Sequence, residues 1–549
     1  MSELRTLERA LADAARLPHG ITFRERGRET VRSYAEIEAS SRGVARALTE
    51  AGLRGGDLAA IILPEPEAFL TTLFGASMAG VIPALVTPPS TMIDLPRYVA
   101  STAGVLCAAG ARAVVTDTAL AAAFEPARGA CPDLRIVLDR GTLDTSNPGG
   151  DTSGTHAASL DDLAFVQFTS GSTSSPKGVA LTHRNVAANV AAVNGPSGLE
   201  TGRPGDVAVS WLPLYHDMGL VGMLFGAIYS KIPTVLLTPQ AFVKRPAEWL
   251  RAISECRGTI SYAPTFAYDL CVRRVKPRDL DGLDLSSWRV AGCGAEPIHA
   301  PTLAAFAHRF AACGFRSSSL LPSYGLAEHV VAAAMAPRDR APRVERVADD
   351  EVVSCGRPLP GHDLRIVGED GHVLPERCIG EIVLAGPSVM LGYYRQDALT
   401  ADTIRQGWLH TGDLGYVSGG ELFVCGRAKD VIIANGRKFH PQDLEWAVAD
   451  LDAVRRGRAV AFGIACAGHA DRVVLLVEPK GLTSQAAIAD AVRQRIRDGL
   501  GLYVDEVICV PTGTIGRTTS GKLQRAAAKQ AYERGEFAPV GVRVERAEP

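Results

Sequence analysis

The 549-residue chain lacks an uninterrupted apolar run long enough to cross a bilayer. Its best candidate, Gly219 to Leu237, is broken by Ser230, Lys231 and Pro233 and reads as a buried helix followed by a strand, so no membrane span is expected. An excess of charge is also missing. The net charge is −2 and the Lys and Arg residues are scattered, which argues against nucleic acid or an acidic membrane as the main partner. The eleven cysteines form no Cys-x-x-Cys pair and no Cys/His cluster at metal-ligand spacing. With an odd count, they point to reduced thiols rather than disulfides or a zinc site. Near the start, Glu3, Arg5, Glu8 and Arg9 sit in a weak helical pattern with no apolar signal core after them, so a cytoplasmic setting is expected. There is no internal repeat.

What is present is the composition of a soluble globular protein, 46% apolar and 21% charged, too long for one hydrophobic core. Short β-rich runs at Leu58 to Leu63, Ala113 to Thr116, Phe165 to Phe168, Val207 to Trp211, Thr234 to Leu237 and Trp288 to Ala291 alternate with helical stretches. This alternation predicts an α/β fold with mainly parallel sheets. Arg140 to Asp162, rich in Gly, Ser, Thr and Asp, reads as a surface connection. After Ser354, strand-like pieces at Asp363 to Val367, Gly380 to Leu384 and Glu421 to Val424 predict a β subdomain. A further unit starts near Lys429, with helices from Pro441, from Gln485 to Arg497 and from Lys522, and strands around Ala459, Val473 and Val507. The expected division is residues 1–428, a large domain of two α/β subdomains and a β subdomain, and residues 429–549, a small mobile α+β domain.

Phe168 to Gly178 reads Phe-Thr-Ser-Gly-Ser-Thr-Ser-Ser-Pro-Lys-Gly, a hydroxyl-rich loop closed by one lysine, leaving an apolar strand and leading toward a helix. Gly171 supplies backbone freedom, Thr169, Ser170, Ser172 and Thr173 supply donors, and Lys177 supplies charge, a composition suited to a triphosphate. It is not the P-loop signature, since Pro176 precedes the lysine and Gly178 follows it. Further on stand Trp211-Leu-Pro-Leu-Tyr-His-Asp-Met-Gly219, Gly294-Ala-Glu-Pro297, Ser323-Tyr-Gly-Leu-Ala-Glu328, His410-Thr-Gly-Asp-Leu-Gly415, Gly426-Arg-Ala-Lys-Asp430 and Arg517-Thr-Thr-Ser-Gly-Lys522.

In this order these motifs resemble those of the adenylate-forming superfamily of acyl- and aryl-CoA ligases, peptide-synthetase adenylation domains and luciferases. Within it, long stretches such as Ser210 to Gly222 and Gly436 to Glu445 resemble fatty acyl-AMP ligases, which load acyl groups onto acyl carrier proteins, often in secondary metabolism. The resemblance implies an ATP-dependent, AMP-forming ligase in which a carboxylic acid attacks the α-phosphorus and pyrophosphate leaves. It assigns the β and γ phosphates to Lys177 and its loop, Mg²⁺ to Glu328, the adenine to Gly294, Ala295, Glu296, Tyr324 and Gly325, and the ribose to Asp413 and Arg427. It further assigns catalysis of the first step to Lys522, the hinge to Lys429, and the entrance of the acid pocket to His216 and Asp217. No nucleophilic cysteine motif is present, consistent with a thiol brought in by a phosphopantetheine arm.

The pattern also departs from the family. Fatty acyl-AMP ligases carry an insertion after the Tyr-Gly-Leu-Ala-Glu motif that is linked to their refusal of free CoA, yet here Tyr324 and Ser354 are only 30 positions apart, as in CoA ligases. Ser174 replaces a loop glycine, Cys293 an asparagine and His329 a small residue. Cys293 and His329 are expected to line the acid pocket, with the histidine narrowing or polarising it toward a short, aromatic or polar acid. The open readings are an acyl-AMP ligase serving a carrier protein, an acyl- or aryl-CoA ligase, an enzyme adenylating an unusual oxyanion such as nitrite for diazotisation of an aryl amine, and a non-catalytic nucleotide-binding module.

Overall fold

The computed structural model describes residues 3–25, 27–89, 95–143, 156–169, 177–347, 350–434, 437–466, 469–481, 484–517 and 523–537. Two largely parallel sheets form the larger part of the molecule. The first has seven strands in the order Gly392–Tyr393, Lys177–Thr182, Leu163–Thr169, Ile82–Leu85, Leu58–Ile62, Ala113–Thr116 and Ile136–Asp139. Its central strand Leu58–Ile62 is buried on both faces, which is why it reads as an unbroken apolar run. The second sheet has nine strands, and its middle runs Leu320–Tyr324, Val290–Cys293, Ile260–Ala263, Ala208–Ser210 and Thr234–Leu237. Local signals set the helices between them. Ser33 and Glu36 form a capping box for the helix Tyr34–Glu50, and the Glu65 carboxylate caps Pro66–Met78.

The two sheets hand their strand ends to one place. Val290–Cys293 and Leu320–Tyr324 run in parallel, with Cys293 opposite Pro322, so Gly294 to Glu296 and Tyr324 to Gly325 emerge side by side. The hydroxyl-rich loop joins the antiparallel strands Leu163–Thr169 and Lys177–Thr182, and a strand rather than a helix therefore follows it; the helix His183–Asn194 comes after that strand. An antiparallel sheet of Asp363–Val367, Gly380–Ala385, Trp408–Ser418 and Glu421–Arg427 makes the β subdomain. Its long strand Trp408–Ser418 carries the His-Thr-Gly-Asp motif, which reads in the sequence as a turn because of its glycines.

Beyond the turn Ala428–Asp430, the strands Val454–Cys466, His469–Pro479 and Glu506–Cys509 pack against the helices Pro441–Ala447 and Gln485–Leu500, and Arg525–Glu533 closes the small domain. The last helix begins at Arg525, three residues after the expected start. Among the described residues no helix is long and apolar enough to cross a membrane; Gly219 to Leu237 resolves into the helical stretch Met218–Ser230 and the strand Thr234–Leu237. One expectation is corrected. Cys107 and Cys131 form a disulfide with Cα atoms 5.2 Å apart. The helix Leu95–Ala109 brings the pair together by packing near Ala127, across 24 positions of sequence that carry no spacing signal.

Candidate active site

A cleft of about 2410 Å³ runs between the large and small domains and receives residues from all the motifs. At the end expected for the ribose, Asp413 is only 7% exposed, because it lies on the long strand opposite Arg427 of the next one. Its Oδ1 pairs with Arg427 Nε at 2.9 Å and its Oδ2 accepts the Tyr324 hydroxyl at 2.8 Å. The Asp413 carboxylate holds the Arg427 guanidinium above its usual range, while burial, and then Asp413, push the Tyr324 phenol upward. This part of the strand is braced from the neighbouring one, where Glu381 accepts the Gly412 amide at 3.0 Å and contacts His410 Nδ1 at 2.8 Å. Each carboxylate oxygen of Asp413 keeps a second lone pair for a further donor.

The residues expected around the adenine sit beside this pair. Ala295, Glu296, Tyr324 and Gly325 border the cleft, and Gly294 lies directly before them. A side chain at Gly294 would stand 2.8 Å from the Ser323 carbonyl, so the two strand ends approach as closely as they do only with glycine there. Glu296 Oε1 accepts the Phe266 amide at 2.7 Å, tying this loop to the helix Thr265–Arg274.

At the end expected for the phosphates, Lys177 borders the cleft at the first position of its strand, with Nζ 4.9 Å from the centre of the Tyr393 ring. The Tyr393 hydroxyl donates to Glu328 Oε1 at 2.8 Å, and Glu328 lies in the tight turn Ala327–His329. Ser170, Gly171, Ser172 and Thr173 lie outside the described residues, as does Ser174; Thr169 ends the preceding strand. Tyr393 was not singled out in the sequence. Its only signal there is an aromatic pair after Gly392, too common to mark a site.

From the small domain, Lys429 faces the same cleft, and burial followed by the nearby Arg427 lowers its ammonium from the usual lysine range. Lys522 lies outside the described residues; Arg517 and Leu523, on either side of residues 518–522, both border the cleft. The domains touch through Arg456 and Asp269 at 3.4 Å and through the rings of His299 and Trp446, tilted at 42° with centres 4.7 Å apart.

Residues 11–394 match the family described as AMP-binding enzyme. The chain belongs to that family. Over 97% of its length it is 36% identical to a putative acyl-CoA synthetase of Caulobacter vibrioides, covering 96% of that protein. Over 94% of its length it is 32% identical to a medium-chain-fatty-acid–[acyl-carrier-protein] ligase of Moorena producens, covering 92% of it. A solved structure from work on fatty acyl-adenylate ligases of E. coli and L. pneumophila superposes with a TM-score of 0.90 at 34% identity, covering 97% of this chain and 98% of that one.

As an AMP-binding, adenylate-forming ligase, the protein uses ATP with Mg²⁺. The residues present fit both groups. The described residues hold no cluster of three or more His, Cys, Asp or Glu side chains suited to a metal, and Mg²⁺ bound largely through phosphate oxygens needs only one or two carboxylates, of which Glu328 faces the cleft.

The residues expected at the acid pocket lie along the same cleft. His216 and Asp217 border it, with Asp217 Oδ1 accepting the Met218 amide at 2.7 Å at the head of the π-helical turn Met218–Phe225. Trp211, Met218, Gly222, Tyr262, Val331 and Met335 supply further wall. Cys293 and His329 do not appear among the described residues that border the cleft, and both are 0% exposed. Cys293 faces inward toward Thr265 Oγ1 at 3.5 Å, and burial raises its thiol above the usual range. His329 Nδ1 donates to the Ala332 carbonyl at 2.9 Å, its ring lies 5.0 Å from that of His362, and Nε2 is buried with no partner among the described residues. Neither side chain borders the cleft, contrary to the expectation that they line the acid pocket. Cys293 ends a strand that is buried on both faces, and the tight turn Ala327–His329 sends His329 to the interior.

Burial, with His362 beside it, lowers His329 from 6.5 to about 4. The unfolded chain therefore binds more protons than the folded one between these two values. His329 contributes stability above pH 6.5 that is lost as pH falls toward 4, up to about 3 kcal/mol. Denaturant unfolding of the ligand-free enzyme across this window should show the loss, and in His329→Asn the pH slope should be smaller; an unchanged slope would remove His329 as its source.

Proposed function

We propose that this enzyme adenylates a carboxylic acid and passes the acyl group to the phosphopantetheine thiol of an acyl carrier protein. The observation that carries the first step is the meeting, in one cleft, of Lys177, Glu328, the Asp413 and Arg427 pair and the residues flanking Lys522. Adenylation builds charge on both the pentavalent phosphorus and the departing pyrophosphate, and a cationic site preorganised around it is what the step requires. In this reading Lys177 and the hydroxyl loop hold the β and γ phosphates, Glu328 holds Mg²⁺, Asp413 and Arg427 bind the ribose, and Tyr324 lies against the adenine. Lys522 reaches the carboxylate and α-phosphate. His216 and Asp217 gate the acid. Rotation at Lys429 then withdraws Lys522 so that the thiol can enter. A reaction that consumes ATP suits the cytoplasm.

The carrier as acceptor is supported by the name of the Moorena producens relative. Acyl transfer to CoA is a second reading, favoured by the short spacing from Tyr324 to Ser354 and by the name of the Caulobacter vibrioides relative. With Cys293 and His329 behind the pocket wall, the case they made for a small or polar acid falls away, and nitrite adenylation has no structural observation behind it.

The test is AMP and pyrophosphate formation over a panel of alkyl acids, aryl acids and nitrite with an aryl amine, each with CoA, with holo carrier protein, or with neither. Turnover with an alkyl acid and transfer to the carrier alone is the expected result. Preference for CoA would move the enzyme to the second reading, and failure to exchange pyrophosphate into ATP with any acid would leave a nucleotide-binding module.

A further inference from the structure

We propose that Tyr393 is a positioning residue that sets the placement of Glu328 and Lys177 at the phosphate end of the cleft; this rests on the reading that Glu328 holds Mg²⁺ and Lys177 the β and γ phosphates. One side chain touches both. Its hydroxyl donates to Glu328 Oε1 at 2.8 Å, and its ring lies 4.9 Å from Lys177 Nζ. The phenol commits one carboxylate oxygen and fixes the carboxylate plane, which leaves the other oxygen for a cation. The ring face gives the ammonium a weak, non-directional partner that a phosphate oxygen easily outcompetes.

The backbone around Tyr393 ties the same three elements together. The short strand Gly392–Tyr393 pairs antiparallel with Lys177–Thr182, placing Tyr393 opposite Val179. On either side, the Leu391 amide donates to the Ala180 carbonyl at 3.0 Å and the Tyr394 amide to the Gly178 carbonyl at 2.7 Å. Two residues earlier than Gly392, the Met390 amide donates to the Glu328 carbonyl at 2.9 Å. The tyrosine's own amide donates to Thr400 Oγ1 at 2.8 Å, and a Cβ at Gly392 would crowd the same threonine at 2.7 Å. Tyr393 is thus held from both sides of its strand and is only 5% exposed. A side chain needed only to fill space at this position would have no use for a hydroxyl aimed at a carboxylate.

The experiment compares wild type, Tyr393→Phe, Tyr393→Leu and Glu328→Gln in two measurements. Mn²⁺ binding in the presence of ATP is followed by electron paramagnetic resonance, and the Mg²⁺ dependence of pyrophosphate exchange is followed at saturating acid. A hydrogen bond to a charged group supports an expected weakening of metal binding of about tenfold in Tyr393→Phe, with the Mg²⁺ needed for half-maximal exchange rising in step and more than kcat falls. In Tyr393→Leu, which also loses the ring, ATP binding without metal should weaken as well. A phenylalanine variant with unchanged metal dependence beside a strongly shifted Glu328→Gln would overturn the role of Tyr393 alone. An unshifted Glu328→Gln would overturn the metal assignment and this inference with it.

Discussion

Replacing Lys522 by alanine is expected to lower pyrophosphate exchange by about 10²- to 10³-fold, the scale seen when one preorganised electrostatic donor is taken from a transition state. Lys522 follows Arg517-Thr-Thr-Ser-Gly, and the described residues closest to it on each side, Arg517 and Leu523, border the cleft. Arg517 is partly buried there, and burial lowers its guanidinium while the nearby Glu296 charge acts against that shift. On the proposed rotation at Lys429, which would withdraw Lys522 after the first step, the lysine should matter in that step only. Acyl transfer from supplied acyl adenylate to holo carrier protein should therefore stay close to wild type in Lys522→Ala. Equal losses in both half-reactions would assign the lysine to folding or to nucleotide binding instead.

Asp413→Asn is the second large effect. The substitution keeps the volume and removes the charge that joins Tyr324 Oη on one side and Arg427 Nε on the other. An asparagine has only one acceptor oxygen, so two donors of the protein and two ribose hydroxyls compete for what remains. A lost hydrogen bond to a charged group is worth roughly 1.5–3 kcal/mol, and KM for ATP should rise about 10- to 100-fold, with a smaller change in kcat. Arg427 is about half exposed, at 52%, and can turn to water, so the melting temperature should move little. Calorimetric titration with ATP, beside steady-state kinetics, separates lost binding from lost folding; an unchanged KM would remove Asp413 from the nucleotide site.

The parts of this protein that were legible in the sequence are those whose physics is local. Strands such as Ala113–Thr116 and Thr234–Leu237 stand where their apolar and β-branched runs place them, because burial on a sheet demands that composition. The motifs around Lys177, Glu328 and Asp413 were legible too, because each is a short contiguous residue pattern, and the fold brings all three residues to one cleft. Less legible were the elements whose state depends on a partner strand. Trp408–Ser418 is a single long strand despite two glycines, since pairing with Gly380–Ala385 and Glu421–Arg427 outweighs their local preference for turns.

Sequence alone determined the family of this protein, its α/β class and the order of the residues that meet in its cleft. Tertiary structure decided which neighbours of those residues face that cleft. His329 follows Glu328 directly, yet a tight turn sends one into the cleft wall and the other into the interior beside His362. Tyr393, 65 positions beyond Glu328, reaches its carboxylate because the strand Gly392–Tyr393 adds to the edge of the sheet that also carries Lys177. Adjacency in sequence sets backbone distance only, whereas the direction of a side chain and its partner across a sheet are set by how the strands pair and pack.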